Sequence, residues 1–224
     1  MQDELVVVIF LTWGGDIMKY DIEFFETLLN PHERLSLGNM EYLDELNELA
    51  DKFMESGSIE GKIAAVAIYH QLSEHMVCLL INYSIFFIQC SIFPVEYPEW
   101  KQKKNSTAGQ LLDRLEGCLD FEHKDAFIKK TRELNKRRNE TMHGLTKHSS
   151  IEQVSLELST VKNLFDEIYE SFDSARDWFF LCYKDFRKDR DWSDMLDEYQ
   201  DELDASEFPD TELKRLVELI QRCG

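Results

Sequence analysis

The sequence predicts an all-α protein, built as an antiparallel helical bundle with additional N- and C-terminal helices. Its 224 residues include only four prolines and nine glycines, which is few for a chain rich in turns. Along most of the chain, apolar residues recur three and four positions apart, as on one face of an amphipathic helix. Eighteen consecutive uncharged residues, 76–93, lie within one such stretch and predict the buried centre of the bundle.

The first half of the chain predicts three helices. A short helix over residues 22–29 stops at Asn30-Pro31. Asn39 is suited to cap a second helix over residues 40–55, with one packed side and one acidic, solvated side. The third helix, over residues 59–93, is apolar on nearly all sides. Before them, residues 1–17 include a short apolar run with no basic residues ahead of it, and we expect a short strand or a translation-start artefact there rather than a signal peptide.

The second half predicts further helices, and the two last are short and highly charged. We expect these two to be peripheral, as a mobile arm or a helix that binds a partner. The predicted helices cover residues 107–119, 122–145, 150–187, 192–203 and 211–222. The corresponding domain division is an N-terminal segment (1–39), a helical bundle (40–187) and an acidic C-terminal extension (188–224).

Residues 76–93 also raise the alternative of a membrane span. The stretch is followed by Lys101, Lys103 and Lys104, which would suit a cytoplasmic flank. Asn82 and Gln89 interrupt the apolar run, however, so we expect the central helix of a soluble bundle and no stable membrane insertion. The five cysteines are widely spaced and form no C-x-x-C pair, which favours reduced thiols in a cytoplasmic protein.

Charge is distributed unevenly along the chain. A net charge of −19 argues against a protein that coats nucleic acid without specificity. Residues 101–148 nevertheless carry 12 basic and 7 acidic residues, a local net charge of +5. This basic stretch contains Lys130, Lys136 and Arg137, which are candidate RNA-binding residues, with a solvated helix face as the alternative.

The strongest candidate site, Arg138, Asn139 and His143, lies in the same basic stretch. Arg138 falls in the middle of the apolar stripe of its predicted helix, where an unpaired charge is costly. With Asn139 and His143 it would line one flank of the helix. A His can move a proton at an RNA 2′-hydroxyl or a leaving oxygen, and an Arg can stabilise charge on phosphorus, so the set suits metal-free cleavage of a phosphodiester.

Two features of the candidate site leave its role open. A single His does not easily serve as both base and acid, so we expect a homodimer that brings two copies of Arg138 and His143 to one cleft. The structural alternative is that Arg138 pairs with Glu74 or another carboxylate, and that His143 only interacts with the helix C-terminus. His70 and Glu74 share a helical face and are a weaker candidate for a metal pair, with a core or interface role as the favoured alternative.

Residues Arg138 to Gly144 resemble the R-N-x-x-x-H motif of the HEPN superfamily. The resemblance covers about residues 40–185 and includes the polar pair Glu74-His75 on the long apolar helix. It implies a dimeric helical bundle with metal-independent endoribonuclease activity, in which Arg138 and His143 are catalytic and Asn139 is the polar residue after the Arg. Leu145 stands where some toxin members have the Tyr that an antitoxin modifies, so the same neutralisation is not implied.

The leading functional prediction is therefore a HEPN-type endoribonuclease that uses no cofactor, in a toxin or antiviral defence setting. Its partners would be RNA, a second copy of the chain and an antitoxin or other protein. The alternative is a noncatalytic HEPN-like module that binds nucleic acid or protein. Trp178, Phe179 and Phe180 are a further candidate, as a stacking platform for bases, although packing in the core or in a dimer is the favoured interpretation.

Overall fold

The computed structural model describes residues 14–98, 106–205 and 211–224, without the side chains of residues 14–18, 143, 144 and 146. These ranges contain helices and no strand, which confirms the all-α class. The expectation for residues 1–13, and the loop residues 99–105, lie outside the described residues. The helices are α1 (Gly14–Leu29), α2 (Pro31–Arg34), α3 (Met40–Glu55), α4 (Ile59–Ile92), α5 (Ala108–Glu116), α6 (Lys124–Gly144), α7 (Ile151–Ser159), α8 (Val161–Asp189), α9 (Ser193–Ala205) and α10 (Thr211–Cys223), with a 3-10 turn at Leu145–Lys147.

Local sequence signals account for several of the helix starts. The Asn39 side chain accepts a hydrogen bond from the backbone N–H of Tyr42, 3.4 Å away, and α3 has the predicted bounds. Thr107 and Gln110 form a reciprocal capping box at the start of α5. Ser150 caps α7 through the N–H of Gln153. Short polar side chains ahead of apolar periodicity therefore fix where these helices begin.

Contacts between residues divide the chain into two compact units, and α4 and α8 contribute residues to both. One unit comprises residues 36–88 and the described part of 98–180; the other comprises the described parts of 1–35, 89–97 and 181–224. The three consecutive domains with boundaries after residues 39 and 187 stay a prediction.

The larger unit, residues 36–88 and 98–180, is built around α4. The ring of Tyr69 stacks on Phe165 of α8 with centroids 4.4 Å apart. Its hydroxyl donates to Asp51 of α3 at 2.6 Å, and Lys162 of α8 reaches the same carboxylate oxygen at 2.9 Å. Lys62 fastens α7 to α4 by donating to the backbone and side chain of Ser155.

The smaller unit joins α1 to both C-terminal helices. Glu26 of α1 is buried and pairs with Arg34 and with Arg215 of α10. Six residues of α10 are buried, namely Leu213, Leu216, Val217, Leu219, Ile220 and Cys223. The expectation that α10 is peripheral is therefore wrong, because its charges lie on one face and its apolar residues pack on the other.

Helix α4 is long and apolar enough to cross a membrane by length and composition, and it is the one such helix in the described ranges. In its most apolar window, 61% of the residues are buried inside the protein. The core helix of a soluble protein passes the same test as a membrane span. Membrane insertion and cytoplasmic location thus stay at the level of prediction.

Candidate functional site

The candidate site lies on α6, where the buried part of the helix gives way to the exposed part. Phe127 and Leu134 are fully buried, whereas Met142 and Leu145 are 36% and 40% exposed. Arg138 lies between these two groups and is half-buried. Its guanidinium is thus partly covered by protein rather than enclosed by it.

Arg138 differs from the other two arginines of α6 in its partners. Arg132 pairs with Asp113 at 2.9 Å and with Glu116 at 2.7 Å, and Arg137 pairs with Glu133. Arg138 donates from Nη1 to the side-chain oxygen of Asn139, 2.8 Å away, and has no carboxylate partner among the described residues. A guanidinium has five N–H donors, so Arg138 keeps donors that an anion can occupy.

The suggested pairing of Arg138 with Glu74 is not found. Oε2 of Glu74 accepts a hydrogen bond from Gln71 at 2.9 Å and lies 3.7 Å from Nδ1 of His70. Glu74 therefore interacts along α4 and leaves Arg138 without a negative partner from that helix.

A row of polar side chains connects Arg138 to α4. Nδ2 of Asn139 lies 3.4 Å from Oδ1 of Asn135, one turn earlier on α6. The same oxygen lies 3.0 Å from Nε2 of His70. His70 is buried, at 6% exposure, so this row runs from the half-buried Arg138 into the interior of the unit.

The sequence does not single out Asn135, and it predicts His70 only as a metal ligand or as a core or interface residue. The signal for Asn135 was its spacing, because it precedes Asn139 by one helical turn and therefore shares its face. Its contact with His70 crosses 65 positions of sequence, and no local pattern contains it.

His143, the predicted acid–base residue, belongs to α6 by its backbone, but its side chain lies outside the described residues. Its role and its distance from Arg138 stay a prediction. Thr141, two residues earlier, is buried and lines a cleft beside the end of α6.

This cleft has a volume of about 380 Å³ and lies between α6 and the residues around the α7–α8 junction. Its lining combines charged and apolar side chains: Arg137, Glu140, Thr141, Leu156, Glu157, Thr160 and Val161. Leu156 is 71% exposed at its edge. The cleft thus presents a mixed surface beside the predicted motif.

The three predicted RNA-binding residues all have acidic neighbours. Lys130 lies 3.4 Å from Glu167, and Lys136 lies 3.8 Å from Glu140, one helical turn away. Arg137 donates to Glu133 and to Thr160. An RNA phosphate would have to compete with these carboxylates, so Arg138 is the more available cation.

The remaining candidates have structural explanations. Phe179 is fully buried and packs against Tyr83 and Phe121, and Trp178 stacks on Phe87 at 5.9 Å, which supports the core alternative for this aromatic cluster. In the part of the chain that the structure describes, no group of three His, Cys, Asp or Glu residues is placed to hold a metal ion.

None of the cysteines is in an activated environment. Cys78 and Cys90 of α4 and Cys223 of α10 are buried in the core. Burial raises the pKa of Cys78 to about 11 and also raises those of Cys90 and Cys223. A raised pKa suppresses the thiolate, which is the nucleophilic form, so these residues act as apolar core side chains.

Comparison with known proteins identifies no relative of this chain. The chain matches no protein family model, and neither a curated protein sequence nor a solved structure is significantly similar to it.

Proposed function

We propose that the protein is a metal-independent endoribonuclease of HEPN type that acts in a toxin or antiviral defence setting. In this proposal the Arg138 guanidinium binds the scissile phosphate, His143 is the general acid–base residue, and Asn139 orients Arg138. The HEPN-like bundle, the homodimer and the antitoxin or other protein partner belong to the same proposal.

The observation that carries the proposal is that the Arg138 guanidinium has no carboxylate partner in the described part of the chain. Carboxylates satisfy Arg132 and Arg137, whereas Arg138 has an amide partner and no carboxylate among the described residues. An arginine used only for structure would be expected to pair with a buried carboxylate, since an unpaired, partly desolvated charge is costly. Binding of a phosphate would supply the missing negative charge.

The chemistry requires a guanidinium for charge and a His for protons. As the 2′-oxygen of RNA attacks the adjacent phosphorus, negative charge grows on the phosphoryl oxygens, and a guanidinium can donate two parallel hydrogen bonds to them. The proton leaves the 2′-hydroxyl and another is given to the 5′-oxygen, and the products end in a 2′,3′-cyclic phosphate and a 5′-hydroxyl. Two His143 side chains in a dimer would divide these two proton transfers.

The test is cleavage of a mixed RNA in EDTA by the full chain and three variants. We expect the wild type to give products with 2′,3′-cyclic phosphate ends, and Arg138→Ala and His143→Ala to abolish them. Arg132→Ala is the matched control, because it also removes one arginine from α6 but takes it from carboxylate partners. Equal cleavage by all four proteins, or no cleavage by the wild type, would refute the nuclease proposal.

A second candidate is a noncatalytic HEPN-like module that binds a protein partner. The observation that favours it is the exposure of apolar side chains near the cleft: Leu156 and Ile151 of α7 are 71% and 64% exposed. Large apolar side chains in water are a common feature of protein-binding surfaces. Retention of a partner that depends on Leu156, together with no RNA cleavage by the wild type, would favour this candidate.

A further inference from the structure

Donor and acceptor chemistry determines which atom donates in each hydrogen bond of the row that ends at Arg138. A guanidinium only donates, so the atom of Asn139 that meets Arg138 Nη1 must be its oxygen. The amide nitrogen of Asn139 then points the other way and donates to Asn135. The atom of Asn135 that receives it must be an oxygen.

The same reasoning determines the proton on His70. Oδ1 of Asn135 accepts from Asn139 and lies 3.0 Å from Nε2 of His70. Because an amide oxygen only accepts, Nε2 of His70 must carry a proton and donate. Its Nδ1 is buried and has no hydrogen-bond partner among the residues that the structure describes, and an oxygen of Glu74 lies 3.7 Å away.

We infer that His70 is a positioning residue for Arg138: through Asn135 and Asn139, this buried side chain of α4 holds the guanidinium on α6 in one orientation. The catalytic function of this guanidinium rests on the proposed nuclease activity, but its fixed orientation does not. A long side chain such as Arg otherwise loses conformational entropy when it binds a ligand, and fixing it beforehand reduces that cost. Reaction rates are also sensitive to small displacements of charge-stabilising groups.

Substitution of His70 removes the buried end of this row of hydrogen bonds and tests its effect on Arg138. His70→Leu removes the donor, whereas His70→Gln keeps an N–H close to the position of Nε2. We expect the Arg138 side chain to become more mobile in His70→Leu and to remain ordered in His70→Gln. A purely structural role for His70, as a space-filling core residue, would affect both variants through stability and would leave the Arg138 side chain unchanged in the folded protein.

The experiment is NMR of the full chain, labelled with nitrogen-15, with the Arg138 side-chain signal assigned through Arg138→Lys. Two measurements are made: the protonated nitrogen of His70, and the order parameter of the Arg138 Nε–H bond vector in the two variants, with Arg132 as the internal control. The inference predicts a proton on Nε2, loss of order at Arg138 in His70→Leu, and little change in His70→Gln. A neutral His70 protonated on Nδ1, or an Arg138 signal that is unaffected by His70→Leu, would overturn it.

RNA cleavage then separates this inference from the proposed function. If the wild type cleaves RNA, we expect His70→Leu to lower kcat by about 10- to 100-fold with a smaller change in KM, and His70→Gln to restore most of the rate. An unchanged kcat in His70→Leu would contradict the positioning role. If the wild type does not cleave RNA, the nuclease proposal fails, while the NMR result alone decides whether His70 positions Arg138.

Discussion

Asp21 of α1 provides a stability test that depends on pH. Its side chain is 2% exposed and accepts a hydrogen bond at Oδ2 from the Tyr199 hydroxyl of α9. The other oxygen, Oδ1, has no partner in the described part of the chain. Burial raises the pKa of this carboxyl from 3.8 to about 6; the Tyr199 hydrogen bond opposes the increase, and the nearby charge of Glu198 adds to it. The ionised form of Asp21 is therefore disfavoured in the folded protein.

The sign and size of the effect follow from linkage. Because the folded pKa lies above the unfolded value, the contribution of Asp21 to stability is fully present below about pH 4 and is lost as the pH rises through 6. A difference between pKa values of 3.8 and about 6 corresponds to about 3 kcal/mol at neutral pH. Asp21→Asn removes the charge, retains an oxygen for Tyr199 and should stabilise the protein by up to this amount at pH 7.

The assay is urea denaturation of wild type and Asp21→Asn at several pH values from 4 to 7.5. Taking the difference between the two proteins cancels the titration of all carboxylates that they share. We expect Asp21→Asn to be more stable at pH 7, with the difference shrinking towards pH 4. Asp197→Asn on the exposed face of α9 is the matched control. A destabilised Asp21→Asn, or a difference that does not change with pH, would refute this reasoning.

Three further substitutions test individual contacts by urea denaturation or amide hydrogen exchange. Lys124→Met should cost more than ~3 kcal/mol, because the buried Lys124 ammonium donates to three backbone carbonyls at 2.7 to 3.2 Å, one on the last residue of α5 and two just beyond it. His123→Gly should stabilise by up to about 1 kcal/mol, because His123 has a φ of 63°, a region that glycine enters without steric cost. Glu26→Gln should speed amide exchange in α10, because it weakens the pairing of α1 with Arg215.

Each of these substitutions has an internal comparison. Lys129→Met changes an exposed lysine on the same helix as Lys124. A similar loss of stability in both variants would contradict a stabilising role for the hydrogen bonds that Lys124 donates. For position 123, His123→Ala should not reproduce the gain seen with glycine, since alanine also disfavours a positive φ. Unchanged exchange in α10 after Glu26→Gln would indicate that apolar packing alone holds that helix.

Helix boundaries set by local chemistry could be predicted from the sequence, and those set by distant contacts could not. The bounds of α3 followed from Asn39 and from the break after Glu55. The single helix predicted for residues 150–187 is instead divided at Thr160 into α7 and α8. No proline or glycine marks this break. Lys62, about 95 positions away, binds Ser155 and Ser159 and holds α7 in place.

The same distinction applies to the candidate site. Helical periodicity determines which residues share a face, so the stripe containing Phe127 and Leu134 predicts that Arg138 faces protein. The structure shows Arg138 half-buried, where the buried part of that stripe ends. The partners of Arg138 could not be predicted in this way, since the contact between Asn135 and His70 depends on how α4 packs against α6. In α10, the sequence shows the periodic spacing of Leu213, Leu216 and Ile220, which pack in the core. The high charge of the segment led instead to the wrong prediction of a peripheral helix.

Binding of an uncleavable RNA tests most directly whether the Arg138 guanidinium is a phosphate-binding group. Affinity for a 2′-O-methyl RNA would be measured by fluorescence anisotropy at one fixed salt concentration for the wild type, Arg138→Gln and Arg132→Gln. Both variants remove one positive charge from α6, so non-specific electrostatics affects them alike. We predict that Arg138→Gln weakens binding about tenfold or more, as expected for one lost charge-assisted hydrogen bond, whereas Arg132→Gln has little effect. Equal weakening by the two variants, or none by Arg138→Gln, would contradict the account.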